Sequence, residues 1–284
     1  MSDRRRINGP GGPTNPPIYD EDLSLSPVRN RNDSDARPFY LKTGVTPSAS
    51  GSAYFEIGQS TGTHGFGMKF TCTVHGPRSL PRSAPFSPHM VLSTHVKYAP
   101  FATRYRRGYL RDASERDLSI HLEAALRGAV IVDRWPKSGV DVVVTVVEGD
   151  MSRQATIDQG LEDWNTMFVL SGCITVAAAA IADAGIDCVD VVAGGVAALV
   201  VNRGNPDEQA IVMDPVVSEH DTVLAACCVA YLPTRNEITN LWYKGSFYTS
   251  ELTSYQSLVS NAVLASKATG KTMLMSLNEA IPSV

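Results

Sequence analysis

The sequence lacks the short patterns that mark most metal sites. Its five cysteines form no CxxC pair, and its six histidines show neither HxxxH nor HExxH spacing. Such spacings place ligands on one turn or one helix face, so their absence argues against a zinc site. Four of the five cysteines lie in apolar runs, which is typical of reduced core residues in a cytosolic or nuclear protein. We therefore expect neither a metal nor a cofactor.

A complete nucleotide-binding loop is also missing. The run ATGKT at 268–272 resembles the end of GxxxxGK[ST], but Ala265 stands where the first glycine is required. No predicted strand precedes this run, which lies within a predicted C-terminal helix. The glycine-rich run TGTHGFG at 61–67 lacks GxGxxG spacing and joins two predicted strands. Both runs are better interpreted as structural elements than as phosphate sites.

Strong charge bias and an apolar leader are absent too. A net charge of −4 and a pI near 5.9 argue against a free-standing nucleic-acid-binding protein. The N-terminal run MSDRRRINGPGGP has no apolar segment after its basic residues, so we expect no secretory signal. The longest uncharged run, from Trp164 to Ala182, contains several polar residues and many alanines. This composition favours a buried core helix over a membrane span.

The chain divides into a tail and one folded domain. Residues 1–36 are rich in Gly, Pro, Asn and Asp, which predicts a flexible tail, and the predicted domain covers 37–284. About four strands precede a helix, for which Ser114 and Asp117 suggest a capping box. A buried strand, a loop at 149–163, the uncharged helix, more strands and a last helix follow. This order predicts the α+β class rather than a doubly wound nucleotide-binding fold.

One loop is strongly basic. Residues 97–116 contain six basic residues against two acidic ones, although the whole chain is acidic. Arginines interleaved with tyrosines suit phosphate contacts and base stacking, so we predict RNA contact here. The alternatives are a solvated loop or a surface for an acidic protein partner. The predicted RNA-binding residues are Arg104, Arg106, Arg107 and Arg111, with Tyr98, Tyr105 and Tyr109 as stacking candidates.

A group of carboxylates follows a predicted strand. Asp214, Glu219 and Asp221 could serve as acid–base groups or metal ligands. The Asp-Pro pair that begins at 214 is also a common turn opener. On the residues alone, the turn is the preferred interpretation.

Most of the chain, from 37 to about 250, resembles the RNase PH family. This resemblance implies a βαβα fold of the type of ribosomal protein S5 domain 2. The stretches that carry it are RPFYLKTGV, GSAYFEIG continuing to MKFTCTVHGPR, the helix from Ser114 into VDVVVTVVEGD, and SGCITVAAAAIADAGIDCVDVVAG with the later MDPVVSEHD.

The same resemblance implies a vestigial active site. Active members use inorganic phosphate to remove nucleotides from RNA 3′ ends, and hold it with Gly-Thr/Ser-Arg-Thr at a helix start. The matching residues are Gly172, Cys173, Ile174 and Thr175, so the arginine has been replaced by an apolar side chain. Asp214 matches one of the family's carboxylates. We therefore expect a protein with no catalytic residues and no enzyme activity.

The runs RRRINGP and DPVVSEHD are most similar to a non-catalytic branch that builds the ring of the RNA exosome. This implies a structural role in rRNA processing and RNA degradation, in the nucleus, nucleolus and cytoplasm. The implied partners are other RNase PH-like subunits in a hetero-hexameric ring, S1-type cap proteins and single-stranded RNA, with no membrane. An active phosphorolytic 3′–5′ exoribonuclease remains the alternative, and it would need Arg116 or Lys137 to reach Ile174. A small-molecule enzyme on the related kinase fold is more remote.

Overall fold

The computed structural model describes residues 29, 31–58, 67–81, 83–103, 106–108, 110, 112–149, 159–201, 209–216, 219–220, 222–245 and 252–280. The helices are α1 (Ala113–Arg127), α2 (Gln159–Asp183) and α3 (Leu252–Ala280). The strands are β1 (Phe39–Thr43), β2 (Gly51–Ile57), β3 (Met68–Ser79), β4 (Val91–Tyr98), β5 (Ser138–Glu148), β6 (Ala193–Val201), β7 (Gln209–Met213), β8 (Thr222–Leu232) and β9 (Glu237–Gly245).

The first sheet has the strand order β1-β2-β3-β5-β4. Neighbouring strands are antiparallel except β4 and β5, which run parallel. Parallel neighbours need a long crossover, and α1 supplies it between these two strands. Side chains along β3, β4 and β5 alternate between buried and half-exposed. This alternation shows that helices cover one face of the sheet only.

The second sheet is antiparallel, with the order β7-β6-β8-β9. Its β8 and β9 form the hairpin that the sequence predicts. Almost every side chain of β6 and β8 is buried, because α2 packs on one face of this sheet and α3 on the other. The molecule therefore has four layers: the first sheet, α1 with α2, the second sheet, and α3. The predicted α+β class is confirmed.

Two adjacent glycines in β6 set the distance between these layers. A Cβ atom on Gly194 would lie 2.3 Å from the Ser171 carbonyl oxygen of α2. A Cβ atom on Gly195 would lie 2.3 Å from the Ala262 carbonyl oxygen of α3. Because successive strand residues face opposite sides, the pair allows both helices to approach the backbone of β6 closely.

Helix α2 is the core helix predicted from its composition. The segment Trp164–Asp183 is long and apolar enough to cross a membrane, yet 78% of its most apolar window is buried inside the protein. Its length differs from the prediction, because α2 already begins at Gln159. The predicted loop at 149–163 is therefore wrong for residues 159–163, while 150–158 lie outside the described residues.

The N-terminus of α1 is capped differently from the prediction. Asp112, and not Ser114, is the N-cap residue, and it completes a capping box with Glu115. The Asp112 backbone N–H donates to Glu115 Oε2 at 3.1 Å. The Tyr98 backbone N–H donates to Glu115 Oε1 at 2.9 Å. Glu115 thus joins the start of α1 to the end of β4, a tertiary contact that fixes the position of the cap.

Candidate functional site

A cavity of about 660 Å³ opens where β1, β2, α2, β6 and α3 meet. Apolar side chains such as Phe39 and Phe55 form part of its wall. Among the described residues that line it, the charged ones are Asp35, Arg37 and Asp214. The hydroxyl groups of its lining belong to Ser34, Ser171, Thr175, Thr269 and Thr272.

The residues that match the family's phosphate-binding motif lie in the middle of α2. Of these, Gly172 and Thr175 line the cavity, whereas Cys173 and Ile174 are fully buried and do not line it. The prediction that the motif lies at a helix start is therefore wrong. Only the first turn of a helix has amides without intrahelical partners, and that turn lies near Gln159. Ile174 thus lies away from the free amides at the start of α2.

Asp214 is held by Arg37, which also lines the cavity. The Arg37 side chain donates from Nε to Oδ2 and from Nη2 to Oδ1, each at 2.8 Å. The Arg37 backbone N–H donates to the same Oδ2 at 2.8 Å. Burial alone would raise the pKa of the Asp214 carboxyl, but Arg37 outweighs this and holds the pKa below its usual value. Asp214 has a φ of 46°, so the preferred turn interpretation agrees with its backbone conformation.

Glu219 is held in the same way by Arg31. Its side chain is completely buried, and it accepts from Arg31 Nη1 at 2.9 Å and from Arg31 Nη2 at 3.1 Å. Arg31 Nη2 also donates to the Asp214 carbonyl oxygen at 2.7 Å. The neighbouring His220 is buried, and burial lowers its pKa to about 4 despite the opposing attraction of Glu219. His220 is therefore neutral near pH 7.

Arg29, Arg31 and Arg37 belong to a segment that we call the strap, residues 29 and 31–37. The Met213 N–H at the end of the edge strand β7 donates to the Asp33 carbonyl oxygen at 2.8 Å. The tail boundary at 36 stays a prediction, although Arg29, Arg31 and the Asp33 carbonyl oxygen contact the domain. Residues 1–28 and 30 lie outside the described residues.

These contacts decide what the carboxylates can do. Asp214 and Glu219 each bind a guanidinium through both oxygens, so the charge of each is paired with an arginine of the strap. The described residues contain no group of three or more His, Cys, Asp or Glu side chains that could hold a metal ion. Asp221 lies outside the described residues. The geometry is that of a structural clamp that fixes the strap to the turn after β7.

The predicted RNA-binding arginines fall into three groups. Arg106 is exposed. Arg107 pairs with Asp112 at 3.4 Å, and its guanidinium lies 4.8 Å from the centre of the Tyr98 ring. Tyr98 itself is only 4% exposed, so its predicted role in base stacking is wrong. Residues 104, 105, 109 and 111 lie outside the described residues.

The alternative, an active phosphorolytic exoribonuclease, would need Arg116 or Lys137 to reach Ile174. The structure places both side chains elsewhere. Lys137 Nζ lies 5.6 Å from the centre of the Phe86 ring, and Arg116 is exposed on α1. Ile174 is 0% exposed, so neither cation shares a solvent-filled site with it. The run ATGKT lies inside α3, which confirms the helical interpretation of that run.

Sequence reasoning missed the strap arginines. It treated residues 1–36 as a tail because the region is rich in Gly, Pro, Asn and Asp and poor in aromatic residues. A signal was present: arginines at 29, 31 and 37 match in number the acidic residues at 214, 219 and 221. No short segment of the sequence contains both groups, so the sequence pattern does not show that they pair. The folded structure brings them together.

Comparison with known proteins identifies the class. Residues 35–187 match the model of the 3′ exoribonuclease family, RNase PH, domain 1. The chain belongs to this RNase PH family, and the predicted resemblance is confirmed.

Two sequence relatives and one solved structure are similar to most of the chain. The chain is 60% identical over 287 residues to "Exosome complex component MTR3" of Chaetomium thermophilum, covering 99% of this chain and 100% of the relative. It is 31% identical over 252 residues to the protein of the same name from Schizosaccharomyces pombe, covering 89% and 88%. The crystal structure of rice Rrp46 matches with a TM-score of 0.67 and 18% identity, covering 88% of this chain and 98% of that one. This structural match confirms the RNase PH-like fold.

Proposed function

We propose that the chain is a non-catalytic subunit of the RNA exosome ring. In this role it supports 3′–5′ RNA processing and degradation, including rRNA processing and mRNA turnover. Family membership and the 60% identity to a protein named as an exosome component support the assignment to the complex. The electrostatics of the cavity support the absence of catalysis.

The observation that carries the proposal is the state of Arg37. Phosphorolysis requires a cavity that binds inorganic phosphate, and arginine is well suited to this because it binds phosphate oxygens bidentately. Arg37 is the one cation among the described residues that line the cavity, and Asp214 already accepts from its Nε and Nη2. Asp35 and Asp214 bring two negative charges to the same lining. From the described part of the lining, phosphate entering here would meet a net negative charge and an arginine that is already bound to Asp214.

An activity assay tests the absence of catalysis. The purified chain, and the ring assembled from it, are incubated with single-stranded RNA with and without inorganic phosphate. We expect no release of nucleoside diphosphates from the chain alone and no phosphate-dependent shortening of the RNA. Nucleoside diphosphate release that requires phosphate and co-purifies with the chain would overturn the proposal in favour of an active phosphorolytic exoribonuclease.

The proposed partners are other RNase PH-like subunits in a hetero-hexameric ring, S1-type cap proteins and single-stranded RNA, in the nucleus, nucleolus and cytoplasm. A tagged chain should therefore co-purify with RNase PH-like and S1-type proteins. A chain that purifies alone, or as a ring of identical copies, would contradict this part of the proposal.

We also propose that the basic loop contacts RNA phosphates. The exposure of Arg106 supports this role, while Arg107 shares its charge with Asp112. Replacing Arg104, Arg106, Arg107 and Arg111 with alanine should weaken RNA protection by the assembled ring without dissociating it. The exposed Arg127 and Arg134 provide a control pair, whose replacement should leave the footprint unchanged. An unchanged footprint in the loop variant would indicate a protein-binding role instead.

A further inference from the structure

One aromatic side chain of the basic loop is exposed to solvent. The sequence predicts base stacking by tyrosines of this loop, but Tyr98 is buried. Phe101, three residues further along the chain, is 68% exposed. Keeping a large apolar ring in water is unfavourable, so this ring favours a ligand with an apolar face.

The turn that carries Phe101 is fixed by backbone hydrogen bonds. The Ala102 N–H donates to the Ala99 carbonyl oxygen at 2.9 Å, and both alanines are buried on either side of the exposed ring. The Ala99 N–H donates to the Val146 carbonyl oxygen in β5 at 2.9 Å. The Gly149 N–H, just after β5, donates to the Ala102 carbonyl oxygen at 2.8 Å. The backbone at Phe101 is therefore in place before a ligand binds, which lowers the entropy cost of stacking on its ring.

Positive charge lies close to this turn in the fold. The Arg107 N–H donates to the Pro100 carbonyl oxygen at 3.1 Å, so the chain returns to the turn at Arg107. The Arg107 guanidinium lies 4.8 Å from the centre of the Tyr98 ring and pairs with Asp112 at 3.4 Å. The preceding residue, Arg106, is exposed. An exposed arginine near an exposed ring suits a single nucleic-acid strand, because the cation binds a phosphate while a neighbouring base stacks on the ring.

The number of exposed apolar side chains favours a base over a protein surface as the ligand. Among the described residues of the basic loop, the exposed large apolar side chains are Phe101 and Leu110. A protein interface has a contiguous apolar centre built from several residues. A base needs one aromatic ring, and every base has a π face that can stack on it.

We propose that Phe101 is a stacking platform for one base of single-stranded RNA, and that Arg106 binds an adjoining phosphate. The ligand is an unpaired stretch of any sequence, because stacking on a ring does not read the edges of a base. In a duplex the bases are stacked on their neighbours and are not accessible to the ring. This inference rests on the proposed RNA contact of the basic loop, and it adds the residue that contacts a base.

The first test compares two single strands of equal charge. One is an oligouridylate, and the other has the same length but carries stable abasic units throughout. Fluorescence anisotropy gives the affinity of the assembled ring for each strand. Phe101→Ala should weaken binding of the oligouridylate about fivefold or more, as expected for one stacked base, and should leave binding of the abasic strand unchanged. An equal loss for both strands, or no loss for the oligouridylate, would overturn the proposal.

Further variants separate stacking from charge. Arg106→Ala should weaken binding of both strands alike and reduce the salt slope of binding by about 0.7, whereas Phe101→Ala should leave the slope unchanged. Phe101→Trp should retain binding of the oligouridylate, because it restores an aromatic ring. Tyr40→Ala is the matched control, at an aromatic residue that is 55% exposed on β1, the strand at the opposite edge of the first sheet from β4. An effect of Tyr40→Ala as large as that of Phe101→Ala would overturn the proposal.

The outcomes distinguish this proposal from the RNA contact on which it rests. If Phe101→Ala has no effect while the variant with four arginines replaced weakens the RNA footprint, stacking is overturned and the RNA contact stands. If neither variant changes RNA binding, both are overturned. Native mass spectrometry should show a ring of unchanged composition for Phe101→Ala, because an exposed side chain contributes little to folding. Loss of a subunit would show that Phe101 contacts a protein partner, which would also overturn the proposal.

Discussion

Replacing Asp214 with asparagine tests the clamp between the strap and the turn. The substitution removes the charge that faces Arg37, whose side chain is 3% exposed, and weakens three contacts of 2.8 Å. Breaking a buried ion pair by removing one partner costs about 3–5 kcal/mol. The Asp214 side chain is 22% exposed, so we expect the lower end, about 3 kcal/mol. Asparagine tolerates a positive φ, so the φ of 46° adds little to this cost.

The assay is urea unfolding followed by tryptophan fluorescence, with thermal melting in parallel. At neutral pH the free energy of unfolding should fall by about 3 kcal/mol, and Tm should fall by about 6 °C or more. Folding lowers the pKa of the Asp214 carboxyl, so its contribution is complete above the unfolded value of about 3.9. It is lost as pH falls through the lower folded value. The gap between the two proteins should therefore stay constant from about pH 7 to pH 5 and narrow below about pH 4.

Asp187→Asn provides the matched control. Asp187 is 44% exposed and lies 3.9 Å from the exposed Arg134, so its loss should cost less than about 1 kcal/mol. The reasoning is refuted if Asp214→Asn also costs less than about 1 kcal/mol, or if its effect persists unchanged in acid.

Two further predictions concern packing and thiol chemistry. Gly195→Ala should lower the free energy of unfolding by about 3 kcal/mol, because its Cβ would lie 2.3 Å from a carbonyl oxygen of α3. Gly44→Ala, at a φ of 68° with nothing within 4 Å, should cost only about 1 kcal/mol; equal losses in urea unfolding would contradict the packing argument. Cys188 is half-buried with a pKa raised to about 11 by burial, while the other four cysteines are buried. A thiol reagent at about pH 8 should therefore modify one thiol per native chain slowly, and Cys188→Ser should remove this reaction; fast labelling of several thiols would contradict it.

Local patterns were sufficient for the elements and for the class of fold. The apolar run VDVVVTVVE predicted the buried strand β5, and the alanine-rich run after Trp164 predicted the core helix α2. These predictions succeeded because burial of one strand face or one whole helix imposes a pattern on neighbouring residues. The end residues of the elements were harder to predict from local patterns. Asp112 displaced Ser114 as N-cap because both positions carry suitable residues and a tertiary contact to β4 fixes Glu115.

The sequence by itself determined the α+β class, the buried α2 and the apolar side chain of Ile174 beside Cys173. Only the tertiary structure decided the roles of the carboxylates, because Arg37 and Asp214 are 177 residues apart and no local window contains both. The structure also shows that the residues matching the family motif lie in the interior of α2 and not at a helix start, because α2 begins at Gln159. Periodicity is a property of neighbours along the chain, whereas pairing of buried charges depends on which surfaces the packed layers bring together.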